Sequence, residues 1–246
     1  MSVNKLAPAN DAVTRGPQQL PSPAPGLAIW RCHLEQPGDE IATLEQCLSA
    51  AERQRAARFG APLLRTRYVV GRAWLRWVLG RTLGMAPQAV LIRAGRRGRP
   101  YVPGHDVDFN VSHTQATALI GIADLGRIGV DIESSDRRVN VKGLERKFMT
   151  ACERDELASL AGDSRRHALL RLWTCKEALS KATGDALGAP FRELELVGTP
   201  APRLLAGPPP YLPADWQLFD VALADNYFAT AAWWRRGVPE SHGRLG

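Results

Sequence analysis

The predicted secondary-structure elements run through the same series twice along the 246-residue chain. A strand pattern at Gly26–Trp30 is followed by helical patterns and then by strands that end near residue 123. A second strand pattern at residues 127–133 is again followed by helices and by two strands that end near Trp234. Runs of strands followed by runs of helices are typical of the α+β class. We therefore predict two α+β halves that meet near residue 127, although no residue-level internal repeat is visible.

The helices have recognisable start and stop signals. In the first half, Ser49 and Glu52 form a capping box, and a longer helix is predicted from Pro62 to Gly84. In the second half, a capping box precedes a long helix at about residues 164–183, which Gly184 ends. The capping box of the second half consists of Thr150 and Glu153, and an arginine stripe on the first long helix consists of Arg65, Arg72 and Arg76.

The two ends of the chain have few apolar residues. Residues 1–26 contain five prolines and are predicted to be a disordered, dispensable tail. Residues 237–246 are predicted to fray. We find no signal-peptide pattern and no apolar run of about 18 residues, so we expect a cytoplasmic protein. The four cysteines have no metal-ligand spacing, which predicts reduced thiols.

The positive charge of the chain is concentrated in its first half. The formal net charge is +7, and residues 51–100 hold 12 arginines, no lysine and a single acidic residue, Glu52. A basic region of this kind indicates a polyanionic partner: a nucleic acid, a phosphorylated small molecule or an acidic protein. The alternative is a solvated, arginine-rich surface, and composition does not decide between them.

Two carboxylates on one predicted strand form the first candidate site. In Gly129–Glu133, side chains two residues apart point to the same face, so Asp131 and Glu133 project together. These carboxylates repel each other unless a positive charge lies between them, and Mg²⁺ prefers oxygen ligands. The alternative is a strand with a solvated polar face, which is favoured for this motif taken alone.

The long second helix carries another candidate site. Trp173, Glu177 and Lys181 recur every four residues and therefore share one face. The alternative is an exposed Glu–Lys pair that stabilises a helix by only about 0.2–0.5 kcal/mol, and for this motif alone it is again favoured. Lys176 is expected at the surface or behind the site.

Two further segments carry polar residues suited to a phosphate group. In Phe109–Thr114, Ser112 and His113 come at the end of a strand, although a lone histidine is otherwise a hydrogen-bonded core or loop residue. A nucleophilic Ser–His pair is disfavoured, because adjacent strand residues face opposite ways. In Gly98–Pro100, the glycine permits close backbone approach and Arg99 supplies charge. A plain basic turn is an equal alternative.

The motifs G-R-P, F-N-V-S-H-T, G-V-D-I-E and W-x-x-K-E-A-x-x-K occur here in this order. Their order and spacing resemble those of the phosphopantetheinyl transferases, in particular the larger monomeric class that activates peptide and polyketide synthases. The resemblance spans about residues 27–234. It implies a pseudo-dimer of two similar α+β halves with the active site and coenzyme A in the cleft between them. Residues 27–126 would form the arginine-rich nucleotide side, and residues 127–236 would carry the metal carboxylates and the long helix.

The resemblance also implies a role for each matched residue. Asp131, Glu133 and Glu177 would bind Mg²⁺. Glu177, Lys181 and His113 would act in catalysis, with Glu177 as the leading candidate for the base. Coenzyme A would be contacted by Arg55, Arg67, Gly98, Arg99, Pro100, Ser112, His113 and Lys181.

The implied reaction transfers the 4′-phosphopantetheine group of coenzyme A to a serine of an apo acyl or peptidyl carrier protein and releases adenosine 3′,5′-bisphosphate. The arginine-rich half suits both the nucleotide and an acidic carrier protein. We expect a monomer that has neither a stable nucleic-acid partner nor a membrane partner. The alternative is a basic nucleic-acid-binding protein or a magnesium-dependent nuclease, but this alternative leaves the helix motif unexplained, and the arginines lack interleaved stacking aromatics.

Overall fold

A computed structural model describes residues 16–95, 97–198, 201–223 and 226–237 of the chain. The first half contains β1 (Gln18–Gln19), β2 (Leu27–His33), α1 (Gly38–Glu45), α2 (Ala50–Ala56), α3 (Pro62–Leu83), β3 (Arg93–Ala94), β4 (Pro100–Tyr101), β5 (Asp108–Thr114) and β6 (Thr117–Ala123). The second half contains β7 (Arg127–Ser134), α4 (Val141–Phe148), α5 (Ala151–Ala158), α6 (Gly162–Thr183), β8 (Glu195–Val197), β9 (Arg203–Ala206), β10 (Trp216–Asp220) and β11 (Tyr227–Trp234).

Each half consists of an antiparallel sheet covered by one long helix. The first sheet has the strand order β1-β2-β6-β5, and α3 shares an apolar core with its strands. The second sheet has the order β10-β11-β7, and α6 packs across β7 and β11. A third apolar cluster joins the two sheets through residues such as Ile29, Leu119 and Ile132. The α+β class and the pseudo-dimer architecture are confirmed.

Side chains of β5 join the two sheets at their facing edges. Residues two apart on this strand point towards β7. Asp108 Oδ2 accepts the backbone N–H of Ile128 at 2.8 Å, and Asn110 Oδ1 accepts that of Val130 at 3.0 Å. At the edge of β7, these carboxylate and amide oxygens therefore accept hydrogen bonds that the backbone of a neighbouring strand would otherwise accept. They fix the position of β7 along β5.

The two halves repeat local interactions at a shift of about 100 positions, a relation that the sequence analysis missed. The Arg65 side chain donates to Glu45 at 2.7 Å, and Arg165 donates to Glu145 at the same distance. The capping boxes and their buried cationic partners also correspond. These corresponding groups are Ser49, Glu52 and Arg76 in the first half, and Thr150, Glu153 and Lys176 in the second.

Residues 16–26 are structured, so the predicted disorder of the tail is wrong for this segment. The short strand β1 pairs with Trp30 and Arg31 on the outer edge of β2, and the Leu20 N–H donates to Ile29 O at 2.8 Å. The Leu20 side chain packs against the apolar cluster between the sheets. A few backbone hydrogen bonds and one apolar contact order this segment despite its composition. Residues 1–15 and 238–246 lie outside the described residues.

We expect a chain shortened to begin at Gly26 to be less stable than one that begins at Gly16. The shorter chain loses the β1–β2 hydrogen bonds and the Leu20 contact, which together amount to roughly 2 kcal/mol. Urea unfolding of the two chains would measure the difference. Equal unfolding midpoints would show that residues 16–25 are dispensable for folding.

All four cysteines are free, in agreement with the sequence-based expectation. In the described part of the chain, no helix is both long enough and apolar enough to cross a membrane.

Candidate active site

Three side chains from three different elements meet where the two halves join. Lys181 on α6 donates from Nζ to Asp131 Oδ1 on β7 at 2.6 Å and to Ser112 Oγ on β5 at 2.9 Å. Ser112 Oγ in turn donates to Asp131 Oδ1 at 2.8 Å. Asp131 and Ser112 are buried, whereas the Lys181 side chain is one-quarter exposed. We call these three residues the Lys–Asp–Ser cluster.

A glycine permits the approach of α6 to β7 that brings this cluster together. Any side chain at Gly129 would overlap the backbone carbonyl of Ala178 and the backbone amide of Ala182. Ala178 lies between Glu177 and Lys181 in the helix sequence. Asp131 lies two positions after Gly129 on β7. The absence of a Cβ at Gly129 therefore allows α6 to bring Glu177 and Lys181 close to Asp131.

The carboxylates of Asp131 and Glu177 lie in one electrostatic environment. Burial raises the pKa of Glu177, and the Asp131 charge raises it further, while Lys181 and Arg137 act in the opposite direction. The second oxygen of Asp131, Oδ2, is buried and has no hydrogen-bond partner among the residues that the structure describes. A buried, unpartnered carboxylate oxygen is costly in a folded protein unless a cation or a donor binds there.

We expect Glu177→Gln to raise the melting temperature in metal-free buffer at pH 7.5, although it should lower activity. Ionising Glu177 costs the folded state free energy because its pKa is raised there, and glutamine removes that cost. The gain should shrink as the pH falls through the raised pKa of Glu177 and vanish below the ordinary glutamate pKa of 4.5, because the side chain is then neutral in both the folded and the unfolded state. Thermal melts from pH 4 to 8 with excess chelator test this, and an unchanged or lower melting temperature throughout contradicts it.

Glu133, the second carboxylate of the strand motif, forms an ion pair with Arg137, and both residues line a large cleft. No group of three histidine, cysteine, aspartate or glutamate side chains within the described ranges lies close enough together to hold a metal ion. The assignment of Asp131, Glu133 and Glu177 as metal ligands therefore stays a prediction.

The cleft has a volume of about 1210 Å³ and is lined by residues of both halves. This volume exceeds the range of roughly 300–1,000 Å³ that is usual for sites of small ligands. The cleft lining is rich in cationic side chains from α2, α3, β3 and the segment after β7. Of the residues singled out from the sequence, those that line it are Arg55, Arg67, Gly98, Pro100, His113 and Glu133.

The cationic side chains of the cleft differ in how they are held. Arg55 lies over the Tyr68 ring, with its guanidinium carbon 5.4 Å from the ring centroid, and it is exposed. Arg67 donates from Nε to Glu35 at 3.2 Å. His113 is exposed next to the buried Ser112, as the alternation of a strand requires.

Three arginines of the cleft were not predicted from the sequence as candidate ligands. Arg72 belongs to the arginine stripe of α3 and donates from Nε to Glu52 at 2.8 Å. Its position on that stripe was the only sequence feature that could have indicated Arg72 as a ligand. Arg93 and Arg137 also line the cleft, and they belong to no matched motif.

Two cationic residues lie elsewhere than the sequence indicated. Arg99 is buried, and its terminal nitrogens bind groups inside the protein, so its side chain does not supply the charge towards the cleft that the motif suggested, and its contact with coenzyme A stays a prediction. The reason is that Gly98 and Pro100 face the cleft while the side chain between them points inward. Lys176 is fully buried and pairs with Glu153 at 2.9 Å, which excludes the surface position considered for it.

Comparison with known protein families matches both halves of the chain. Residues 127–232 match the model described as the 4′-phosphopantetheinyl transferase superfamily. Residues 35–123 match the model described as 4′-phosphopantetheinyl transferase, N-terminal. The two matched segments adjoin at the junction of the two sheets.

Individual relatives are similar over most of the chain. The 4′-phosphopantetheinyl transferase HetI of Nostoc sp. is 34% identical over 83% of this chain and 86% of its own length. A putative 4′-phosphopantetheinyl transferase of Synechocystis sp., slr0495, is 30% identical over 87% of this chain and 88% of its own length. The 4′-phosphopantetheinyl transferase AcpT of Escherichia coli is 31% identical over 56% of this chain and 69% of its own length.

Proposed function

Because the chain belongs to the 4′-phosphopantetheinyl transferase superfamily, in its larger class, we propose that it transfers the 4′-phosphopantetheine group of coenzyme A to a serine of an apo acyl or peptidyl carrier protein. The observation that carries this proposal is the Lys–Asp–Ser cluster beside a cleft lined with arginines. The second product is adenosine 3′,5′-bisphosphate.

The cleft is the proposed site for coenzyme A. Its arginines complement a ligand with several phosphate groups, and the planar guanidinium group can bind a phosphate through two parallel hydrogen bonds. Gly98 and Pro100 offer backbone surface to the nucleotide, while Arg55, Arg67 and Arg72 offer charge. Arg67 and Arg72 already have carboxylate partners, which orient them at the cleft wall.

We also propose that the carboxylates of Asp131, Glu133 and Glu177 bind Mg²⁺. The residues present fit this ion, because Asp131 Oδ2 is a buried oxygen with no partner in the described part of the chain and the donor set consists of carboxylates. Mg²⁺ is usually held by one or two carboxylates together with phosphate oxygens of the substrate, so a preformed group of three is not required. When bound, the ion supplies positive charge to the oxygens of the pyrophosphate.

The side chains of the cluster account for the remaining requirements of the reaction. A serine Oγ–phosphorus bond forms, and the phosphorus–oxygen bond to adenosine 3′,5′-bisphosphate breaks. Lys181 holds a positive charge where negative charge develops on the phosphoryl oxygens, and His113 at the cleft wall contacts a phosphate. The serine proton passes to the carboxylate of Glu177, directly or through a water molecule.

A basic surface beside the cleft supports an acidic carrier protein as the acceptor. The segment after β7 and the helix α4 expose five cationic side chains, Arg137, Arg138, Lys142, Arg146 and Lys147. Complementary charges of this kind raise the rate of association and orient the partner. Both walls of the cleft come from one chain, so we propose that the monomer is the active form.

The experiment that tests the function is incubation of the purified chain with coenzyme A, Mg²⁺ and a panel of apo acyl and peptidyl carrier proteins. Intact-mass measurement should show one phosphopantetheine added to at least one carrier. Asp131→Ala and excess chelator should each abolish this transfer. Transfer to none of the carriers would refute the proposed function, and full turnover in chelator would refute the metal assignment alone. Binding to DNA or RNA at physiological salt in a gel-shift assay would instead favour the nucleic-acid alternative.

A further inference from the structure

We propose that Arg99 is a positioning residue that fixes the three elements of the Lys–Asp–Ser cluster relative to one another, and that it does not bind the phosphates of coenzyme A. This inference rests on the proposed function, because the cluster is taken to be catalytic. The family resemblance of the sequence had implied that Arg99 contacts coenzyme A.

The guanidinium group of Arg99 contacts all three elements. Its Nη2 donates to the carbonyl of Ile128 on β7 at 2.6 Å and to the carbonyl of Phe109 on β5 at 3.2 Å. The same nitrogen contacts the carboxylate of Asp108, and Nη1 donates to the carbonyl of Lys181 on α6. The Arg99 side chain is only 3% exposed. One planar group thus joins β5, β7 and α6 across the boundary between the halves.

These contacts lie close in sequence to the cluster itself. Phe109 precedes Ser112 by three positions, Ile128 precedes Asp131 by three, and Lys181 contributes both the carbonyl that Arg99 binds and the ammonium group of the cluster. A shift of any of these elements relative to Arg99 therefore moves one cluster member relative to the other two.

The chemistry of each contact suits an arginine. The Lys181 carbonyl is one of the last four of α6, which have no partner within the helix, and a cation near a helix C-terminus is stabilised by the helix dipole. Asp108 Oδ2 also accepts the Ile128 N–H at 2.8 Å, so Arg99 and Asp108 bind the same residue of β7 through its two backbone groups. A lysine ammonium group cannot span these acceptors with a planar fork.

The turn before Arg99 explains why this side chain points inward. Gly98 has φ of +78°, a conformation that other residues rarely adopt, and the Gly95 N–H donates to Arg99 O at 2.8 Å. Gly98 and Pro100 consequently line the cleft, while the residue between them enters the protein. One short turn therefore serves the nucleotide site on one side and the cluster on the other.

The test compares Arg99→Lys with the wild type by steady-state kinetics at a temperature well below both melting temperatures. A displaced cluster should lower kcat about 10- to 100-fold, because small misplacements of reacting groups have effects of this size. The KM for coenzyme A should change by less than about threefold, since no phosphate contact is lost. Arg97→Lys is the matched control: Arg97 lies in the same turn, but its side chain is 65% exposed and it should behave like the wild type.

Three outcomes would overturn the inference. A KM for coenzyme A raised tenfold or more at a nearly normal kcat would mean that Arg99 binds a phosphate. A lower melting temperature at normal kcat would mean that Arg99 supports folding alone. If Arg99→Lys does not fold, Asp108→Asn removes the charged partner of Arg99 and is measured in the same way; a normal kcat in that variant would overturn the inference. A wild-type chain without transfer activity would instead refute the proposed function.

Discussion

Lys181→Ala is expected to lower kcat by about 10²–10³-fold and to change the KM for coenzyme A much less. The Lys181 ammonium group is held 2.6 Å from Asp131 and 2.9 Å from Ser112, and its side chain is partly exposed. A charge fixed in this way stabilises the transition state more than the bound substrate, because negative charge grows on the phosphoryl oxygens only as the bond breaks.

Steady-state kinetics and circular dichroism of the folded variants measure this effect. Lys181→Arg should recover part of the rate, because it keeps the charge but replaces a compact ammonium group with a wider planar one. Lys181→Met keeps much of the side-chain volume without the charge and should resemble the alanine variant. Turnover near the wild-type value in Lys181→Ala would remove Lys181 from the active site and would weaken the assignment of the helix motif.

Lys176→Met is expected to lower the free energy of unfolding by about 3–5 kcal/mol, the usual result of removing one partner of a buried ion pair. Lys176 is fully buried; its ammonium group lies 2.9 Å from Glu153 and donates to the carbonyl of Phe191 at 2.7 Å. Burial already raises the pKa of Glu153, and the Lys176 charge lowers it. Without that charge the pKa should rise further, so the loss of stability should be larger at high pH than at low pH.

Urea unfolding of single and double variants tests this prediction. Glu153 also accepts the backbone N–H of Thr150 through Oε2 and that of Leu196 through Oε1, and the single amide oxygen of Glu153→Gln keeps acceptor capacity for one of these two bonds. The double variant Lys176→Met, Glu153→Gln removes both charges and should regain part of the lost stability, less the cost of the one backbone N–H group that loses its acceptor. A loss below about 0.5 kcal/mol in Lys176→Met would be the result expected of a surface lysine, and it would contradict the buried position.

Lys176 and Lys181 lie in the same nine-residue motif, and they show which features of the site can be predicted from the sequence. Helical spacing places Lys181 on the face of Glu177, and this relation depends only on the geometry of one helix. The alternation of strand residues likewise separates Ser112 from His113 and pairs Asp131 with Glu133. The structure buries Asp131 beside Ser112 and Lys181, but the metal role of the three carboxylates stays a prediction.

Contacts between elements were beyond the reach of sequence reasoning. The charge of Arg99 suggested a phosphate ligand, but the turn conformation at Gly98 directs this side chain into the protein. The repeat of about 100 positions was not visible in the sequence because the corresponding residues are few and scattered: Glu45 with Arg65 recurs as Glu145 with Arg165, whereas Glu52 with Arg76 corresponds to Glu153 with Lys176.

The sequence by itself determined the fold class, the helix starts at the two capping boxes and the family resemblance, because these depend on local periodicity and on the order of short motifs. The tertiary structure alone decided which cations face the cleft and which are buried, because a charged side chain has the same local signal in either position. It also decided that Gln18–Gln19 forms an edge strand, since the partner strand, and not the composition of the segment, supplies its hydrogen bonds.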